Sequence, residues 1–199
     1  MVTERLARQV RFVLEIDKLK TVQRRTWLTD GTRSENSAEH SWHLAVMVLL
    51  FREYAVDQGL DLARAVQMAL VHDLVEIDAG DTFVYDARGA IDKGQREEAA
   101  ADRIFALLPD DLGQELRQVW EEFEARATAE ARFVAALDRL QPILHNYHTA
   151  GRAWRQHGVT VDKVLSYNQH MSEGAPELWD YAQSLIRDAV QRGFLEEKP

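Results

Sequence analysis

The sequence lacks cysteine, an excess of basic residues and any long apolar run, and each absence removes a class of protein. Without cysteine there is no disulfide framework and no thiolate chemistry, so a bound metal would take nitrogen and oxygen ligands. The net charge of -9 argues against broad binding to nucleic acid or to an anionic membrane, because both need a basic surface. The longest apolar run, residues 44–51, has eight residues and is far too short to span a membrane.

The N-terminal segment carries Glu4, Arg5, Arg8 and Arg11 and lacks the apolar core of a signal peptide. We therefore expect a soluble, cytoplasmic protein. A small anionic substrate could still bind through a locally positive site. A length of 199 residues fits one domain, residues 1–199, with a motif-bearing core at about 19–150 and C-terminal helices at about 160–192.

Apolar residues recur at helical spacing along most of the chain, and no segment alternates with a period of two, which predicts an all-α fold. We expect helices up to about residue 20, then to about 56, over 62 to about 77, 96–108, 112–125, from 128 through Asp138, 160–172 and 177–192. Residues 23–37 read as a loop whose end holds a helix cap, either Asn36 or Ser37, with Glu39 able to complete a capping box. Residues 78–94 read as a second loop, long enough to be functional.

The dipeptide His72-Asp73 is the most informative feature, because it places two adjacent ionisable side chains inside an apolar stretch. Glu76 follows three residues after Asp73, so on one helix these side chains can share a face. His40 and Asp138 lie in two other apolar helices. A hydrogen-bonded core histidine beside a paired aspartate would explain the dipeptide alone, but the correlated positions together favour a metal site.

Two imidazoles and two carboxylates suit a divalent first-row ion such as Mn, Fe, Co, Ni or Zn, whereas Mg usually prefers an all-oxygen shell. Four protein ligands would leave coordination positions for water and substrate, which is typical of a catalytic rather than a structural site.

These residues and their neighbours resemble the HD superfamily of metal-dependent phosphohydrolases, and within it the 5'-deoxynucleotidase branch. The resemblance is carried by Glu35-Asn36-Ser37-Ala38-Glu39-His40-Ser41, His72-Asp73-Leu74-Val75-Glu76, Gly80-Asp81 and Leu137-Asp138. It implies a single HD-type helical bundle, acid/base catalysis by Glu76 and an active-site position for Asp81. It also implies the metal ligands His40, His72, Asp73 and Asp138.

The resemblance further implies one divalent metal ion, with Mn, Co, Fe, Ni, Zn and Mg all open. Binuclear members of the superfamily place additional histidines between the equivalents of Asp73 and Asp138, and this interval contains none. His145 and His148 come after Asp138, and we expect them to be surface or packing residues.

Family members also carry an arginine followed by a tryptophan, which contact the phosphate and the sugar. Here the segment reads Arg24-Arg25-Thr26-Trp27, so Thr26 interrupts the pair. The resemblance assigns the phosphate contact to Arg25 and the sugar contact to Trp27, while packing of Trp27 on the first helix is the alternative. Two further cations could assist Arg25, although a solvated surface position is expected for both: Arg33 and Lys93.

By this resemblance, the protein would remove the 5'-phosphate from (deoxy)nucleoside monophosphates by attack of a metal-bound water. Glu76 would orient the water or shuttle protons, and Asp81 would protonate the leaving ribose oxygen, with the division of roles open. The alternatives are an HD hydrolase of another phosphorylated metabolite or nucleoside triphosphate, and a non-catalytic, metal-stabilised helical module. The resemblance also suggests a homodimer.

Overall fold

Helices packed around one long central helix, α7, make up most of the computed structural model, which describes residues 3–86 and 88–197. The first helices are α1 (Glu4–Ile16), α2 (Ser37–Leu50), α3 (Leu62–Val71), α4 (Glu76–Ala79), α5 (Lys93–Phe105) and α6 (Asp110–Ala125). The others are α7 (Ala129–His148), α8 (Arg152–Gln156), α9 (Val161–Asn168), α10 (Met171–Gly174) and α11 (Pro176–Gln191). Two short strands, β1 (Gln23–Trp27) and β2 (Ser34–Asn36), form an antiparallel pair. Within the described ranges, no helix is long and apolar enough to cross a membrane.

The centre of the fold is α7, which packs against α2, α3, α6, α10 and α11. Its residues Phe133, Leu137 and Leu140 are almost completely buried, as are Leu44 of α2 and Met68 of α3. A helix surrounded on most sides is apolar on most sides. An ionisable residue in such a helix, like Asp138, is therefore buried and needs partners.

The segment 23–37, expected to be a loop, is a β-hairpin. Gln23 pairs with Asn36 and Trp27 with Ser34, with an irregularity in the register between them. Strands of five and three residues are too short to display a period-two pattern. The hairpin carries Arg24 and delivers the chain directly into α2.

The start of α2 is fixed by the first of the two caps left open by the sequence. The Asn36 side chain accepts a hydrogen bond from Glu39 N at 3.0 Å, and Glu39 Oε2 accepts one from Asn36 N at 3.1 Å. This reciprocal pair is a capping box. It sets His40 in the first turn of α2.

The helix expected over residues 62 to about 77 is interrupted. It ends at Val71, the chain turns through residues 72–75, and the short helix α4 begins at Glu76. Within the turn, backbone hydrogen bonds run over three residues rather than four, from Leu74 N to Val71 O and from Glu76 N to Asp73 O. No glycine or proline marks this break, so the sequence pattern gave no signal for it.

The ends of the other helices differ less from those expected from the sequence. Helix α1 ends at Ile16 and continues as a 3₁₀ turn, Asp17–Thr21, while α2 stops at Leu50 instead of near residue 56. The helix expected over 160–172 is divided into α9 and α10. Between α4 and α5, the described residues form no helix or strand, in agreement with the predicted second loop.

Candidate metal centre

Four side chains from three parts of the fold converge behind the hairpin. His40 comes from the first turn of α2, His72 and Asp73 from the turn after α3, and Asp138 from the middle of α7. His40 Nε2 lies 2.9 Å from Asp138 Oδ1 and 3.9 Å from Asp73 Oδ2. His72 Nε2 lies 3.0 Å from Asp73 Oδ1 and 4.0 Å from Asp138 Oδ1. The four predicted ligands are therefore brought together.

His40, His72 and Asp73 each offer a ligand atom within 4.8 Å of the others, and Asp138 Oδ1 adjoins both histidines. Metal–ligand bonds of about 2.0–2.2 Å place neighbouring donor atoms about 2.8–3.6 Å apart at octahedral or tetrahedral angles, and opposite donor atoms about 4.0–4.4 Å apart, so these distances are in the range of a divalent-ion site. The ring of His72 is already oriented, since its Nδ1 lies 3.0 Å from the carbonyl oxygen of Ala69. Its Nε2 is buried without a hydrogen-bond partner, as expected of a lone pair that is directed at a cation.

The protonation states also suit metal binding. Burial, reinforced by the positive charge of Arg24, lowers the pKa of His40 to about 3, and burial lowers the pKa of His72 as well. Both imidazoles are thus neutral at physiological pH. Burial acting alone would raise the pKa of Asp138, but Arg139 and His40 hold it well below its usual range. The set therefore offers two neutral nitrogens and an ionised carboxylate.

Two arginines that the sequence analysis did not assign lie against the carboxylates. Arg24 Nη1 is 2.9 Å from Asp73 Oδ2 and 3.9 Å from Asp81 Oδ1. Arg139 Nη2 is 2.6 Å from Asp138 Oδ2. Burial would lower the pKa of Arg24, but the surrounding carboxylates raise it above its ordinary value, so the guanidinium stays charged.

Glu76 and Asp81 line the cavity next to these groups. Glu76 Oε2 accepts a hydrogen bond from Ser37 Oγ at 2.6 Å. Burial and the neighbouring Asp73 raise the pKa of Glu76 to about 8. A carboxyl group that exchanges its proton near neutral pH is suited to general acid/base chemistry.

In the segment from Arg24 to Trp27, the side chains are placed differently from what the family resemblance implies. Arg24 faces the carboxylates, whereas Arg25 is more exposed and lines the cavity at its edge. Trp27 packs on α8. The Arg152 guanidinium lies 3.2 Å from the centroid of the Trp27 ring, and Trp27 Nε1 donates a hydrogen bond to Gln156 Oε1 at 3.0 Å. Among the described residues that line the cavity, Trp27 does not occur, so its sugar contact stays a prediction.

The remaining candidates divide between cavity and surface. Lys93 lines the cavity and pairs with Glu97 at 3.2 Å, whereas Arg33 is paired with the capping residue Glu39 outside it. His148 is exposed and His145 is buried beside His43, in line with the expected surface and packing positions.

Aromatic residues also line the cavity. The loop after α4 contributes Phe83 and Tyr85, and α8 contributes Trp154. Phe83 and Tyr85 meet edge to face with ring centroids 5.2 Å apart, and Tyr85 meets Tyr167 of α9 at 5.3 Å. The cavity is therefore lined both by charged and metal-binding groups and by aromatic rings.

Several site residues lay within the motif segments but carried no sign of their role. Glu35 and Ser37 belong to the segment around His40, and Arg139 follows Asp138 directly. Their contacts depend on which elements meet, so spacing along the chain does not reveal them. Arg24 was not assigned because the family resemblance gave the phosphate contact to its neighbour Arg25.

Comparison with known proteins identifies the family of the chain. The profile of the HD domain family matches residues 16–179. The chain belongs to the HD domain family.

Named relatives are 5'-deoxynucleotidases. The human 5'-deoxynucleotidase HDDC2 is 38% identical over 136 residues, which cover 68% of this chain and 65% of that protein. The matched region of this chain thus spans slightly less than two thirds of the human protein. The Saccharomyces cerevisiae 5'-deoxynucleotidase YGK1 is 24% identical over 187 residues, covering 86% of this chain and 85% of that protein.

Solved structures share the fold. A crystal structure from Magnetospirillum magnetotacticum, described as a predicted metal-dependent phosphohydrolase, has a TM-score of 0.93 and 52% sequence identity. It covers 98% of this chain and 99% of that chain. The PH0347 protein from Pyrococcus horikoshii has a TM-score of 0.62 at 22% identity and covers 92% and 99% of the two chains, a likeness in fold alone.

Proposed function

We propose that the protein is a metal-dependent phosphohydrolase that removes the 5'-phosphate from nucleoside monophosphates, with deoxynucleotides as the expected substrates. The observation that carries the proposal is the convergence of four buried donors, His40, His72, Asp73 and Asp138. All of them except His40 line a cavity that also holds the carboxyl groups of Glu76 and Asp81. The relatives named as 5'-deoxynucleotidases support the choice of substrate.

One divalent ion, of the first-row type or Mg, fits this donor set. When bound, it supplies Lewis-acid activation of a water molecule and of the phosphate. The chain's own cations would then neutralise the remaining phosphate charge. Arg24 and Arg139 face the donor cluster, and Arg25 stands at the cavity edge. A planar guanidinium can contact two phosphate oxygens at once, which makes arginine the natural partner here.

Proton transfer falls to the two carboxyl groups outside the ligand set. Glu76, held by its hydrogen bond from Ser37, would orient the attacking water or shuttle protons. Asp81, whose Oδ1 lies 3.9 Å from Arg24 Nη1, would protonate the leaving sugar oxygen, with the division of roles between the two carboxyl groups open. Positioned acid/base groups typically contribute about 10²- to 10⁴-fold to a rate.

Aromatic residues that line the cavity would contact the nucleoside part of the substrate. Phe83 and Tyr85 are partly buried and line the same cavity as the charged groups. A phosphomonoester that carries a flat base would place its phosphate near the charged groups and its base near these rings. The predicted sugar contact of Trp27 would require movement of Trp27 from its stack on Arg152.

A substrate panel tests the function. Phosphate release is measured with 5'-deoxynucleoside and 5'-ribonucleoside monophosphates, 3'-monophosphates, triphosphates and cyclic dinucleotides, each with Mn, Co and Mg. We expect release from the 5'-monophosphates. Preferred release from triphosphates or another phosphorylated metabolite would favour the alternative hydrolase, and inactivity throughout would favour the non-catalytic helical module.

We also predict that the protein is cytoplasmic and forms a homodimer. Trp154 and Trp179, which could have served an interface, are buried within the chain at 2% and 8% exposure. Exposed apolar residues on α1, Val13 and Leu14, are available instead. Light scattering coupled to size exclusion tests the dimer, and a monomer at micromolar concentration would contradict it.

A further inference from the structure

Two buried polar atoms face each other on the outer side of the candidate metal centre. Glu35 Oε2 and His40 Nδ1 are 3.7 Å apart, and neither has a hydrogen-bond partner. Arg24 Nε, likewise without a partner, lies 3.6 Å from the same Glu35 oxygen. The Glu35 side chain is 2% exposed and that of His40 is 0% exposed, so water does not readily satisfy either atom. Buried polar groups are nearly always hydrogen-bonded, and a shift of less than 1 Å would join these two.

The orientation of the His40 ring determines which of its nitrogens faces Glu35. His40 Nε2 faces Asp138 and the other donors, so Nδ1 is the nitrogen that points away from the centre. An imidazole that binds a metal through Nε2 carries its proton on Nδ1, and metal-binding histidines usually donate that proton to a carboxylate or carbonyl oxygen. Glu35 is the carboxylate in the position to accept it.

Glu35 is itself held by a second layer of side chains. Its Oε1 accepts a hydrogen bond from Gln141 Nε2 at 2.8 Å, and the same nitrogen lies 2.9 Å from His43 Nδ1. Gln141 follows Asp138 by three residues on α7, and His43 follows His40 by three residues on α2. The helices α2 and α7 thus contact each other through two side-chain pairs. The first is the ligand pair His40 and Asp138, and the second, about one turn further on, is His43 and Gln141, of which Gln141 holds Glu35.

The same layer also brings Glu35, His43 and His145 within reach of a common cation. However, the Gln141 amide nitrogen lies between Glu35 and His43, within hydrogen-bond distance of both. A hydrogen-bond donor in that position favours a positioning network over a second metal site.

We propose that Glu35 is a positioning residue, which accepts the Nδ1 proton of His40 and thereby directs the Nε2 lone pair at the metal. The inference rests on the proposed metal site at His40. Because its readout is metal affinity and the state of one imidazole, it is tested separately from turnover. A chain that binds one ion through His40 but hydrolyses no nucleotide would refute the proposed function and leave this inference standing.

The test compares Glu35→Gln with the matched control Glu39→Gln. The control makes the same change four residues away, where glutamine still serves a capping box. Zn²⁺ or Co²⁺ is titrated into metal-stripped protein against a chromogenic chelator. We expect one equivalent for each protein, with affinity lowered about 10- to 100-fold in Glu35→Gln and unchanged in Glu39→Gln.

A spectroscopic readout separates positioning from a simple loss of charge. In Zn²⁺-loaded protein labelled with ¹⁵N-histidine, the Nδ1 proton of His40 should be protected from exchange in the wild type and lose that protection in Glu35→Gln. If Glu35→Gln does not fold, Gln141→Met, which removes the support of Glu35, should show the same changes to a smaller degree.

Three outcomes would overturn the proposal. The first is a metal affinity of folded Glu35→Gln that lies within twofold of the wild type. If only Gln141→Met folds, the same criterion applies to that variant. The second is a lowered affinity with an unchanged His40 Nδ1 proton. The third is a second equivalent of metal in the wild type that disappears in His145→Phe, which would make the outer layer a cation site.

Discussion

His40 and Asp138 are 98 positions apart in the chain, yet His40 Nε2 and Asp138 Oδ1 lie 2.9 Å from each other. The same Asp138 oxygen is 4.0 Å from His72 Nε2. Asp138 is therefore the point at which α2, α7 and the turn after α3 meet. A cation bound there would join three parts of the fold, so metal binding and stability should be coupled.

Removal of the carboxylate in Glu76→Gln should separate metal binding from turnover. Glu76 lines the cavity but is not one of the four donors, so the variant should retain its metal. The lost proton transfer should lower kcat by about 10²- to 10⁴-fold. Metal content and phosphate release are measured on the same preparation, and a Glu76→Gln protein with near wild-type kcat would refute the role.

The two adjacent arginines should differ in importance. Arg24→Gln removes the guanidinium beside Asp73 and Asp81, and we expect a loss of roughly 100-fold in kcat/KM, as for other groups that stabilise charge in a transition state. Arg25→Gln changes a more exposed residue at the cavity edge and should cost less than about tenfold. Steady-state kinetics with one 5'-deoxynucleotide make the comparison, and a larger effect of Arg25→Gln would restore the sequence-based assignment.

The metal-free protein should lose stability as pH rises from 6.5 to 8.5. Burial raises the pKa of Asp73 and Glu35 to about 7 and, together with Asp73, raises that of Glu76 to about 8. In this window the folded state holds protons that the unfolded state has released, so the free energy of unfolding falls with pH. The histidines whose pKa is lowered by burial act in the opposite sense in the lower part of this window, because the unfolded chain still binds protons there, and they offset part of the carboxyl effect.

We expect a decrease of about 1–3 kcal/mol across that interval, measured by urea denaturation of metal-stripped protein. The gain in stability on adding metal should increase over the same interval, because the ligands must be deprotonated. A metal-free protein whose stability stays level or rises would contradict these protonation states.

The cap of α2 should support the position of His40. Asn36→Ala removes the side chain that accepts from Glu39 N and should lower the free energy of unfolding by about 1 kcal/mol. Because His40 lies in that first turn, metal affinity should fall as well. Asn36→Asp keeps an acceptor and is the matched control, so equal losses in the two variants would argue against a capping effect.

Much of the fold followed from the sequence because apolar periodicity reports which helix faces are buried. That signal indicated α3, α6, α7 and α11 to within a few residues at most ends. It failed at the hairpin, whose strands are too short for a pattern. It also failed at the turn of residues 72–75, where tertiary contacts such as that between Ser37 and Glu76 prevail over helical continuity.

The candidate site was predictable where a residue is anomalous in its surroundings. His72, Asp73 and Asp138 interrupt apolar stretches, and the fold places all of them together with His40. Arg24, Arg139 and Glu35 were not predictable in this way. Charged residues are common in a hairpin or next to another charge, and only the packing of β1, β2 and α7 shows which of them point inward.

The most direct test of the central claim measures the metal content per chain of Asp73→Ala and of the wild type. Phosphate release is followed on the same samples. After incubation with Mn²⁺ or Co²⁺ and removal of excess ion, the wild type should hold about one equivalent and release phosphate from a 5'-deoxynucleotide. Asp73→Ala should hold almost none and be inactive. A metal-replete, active Asp73→Ala would contradict the account.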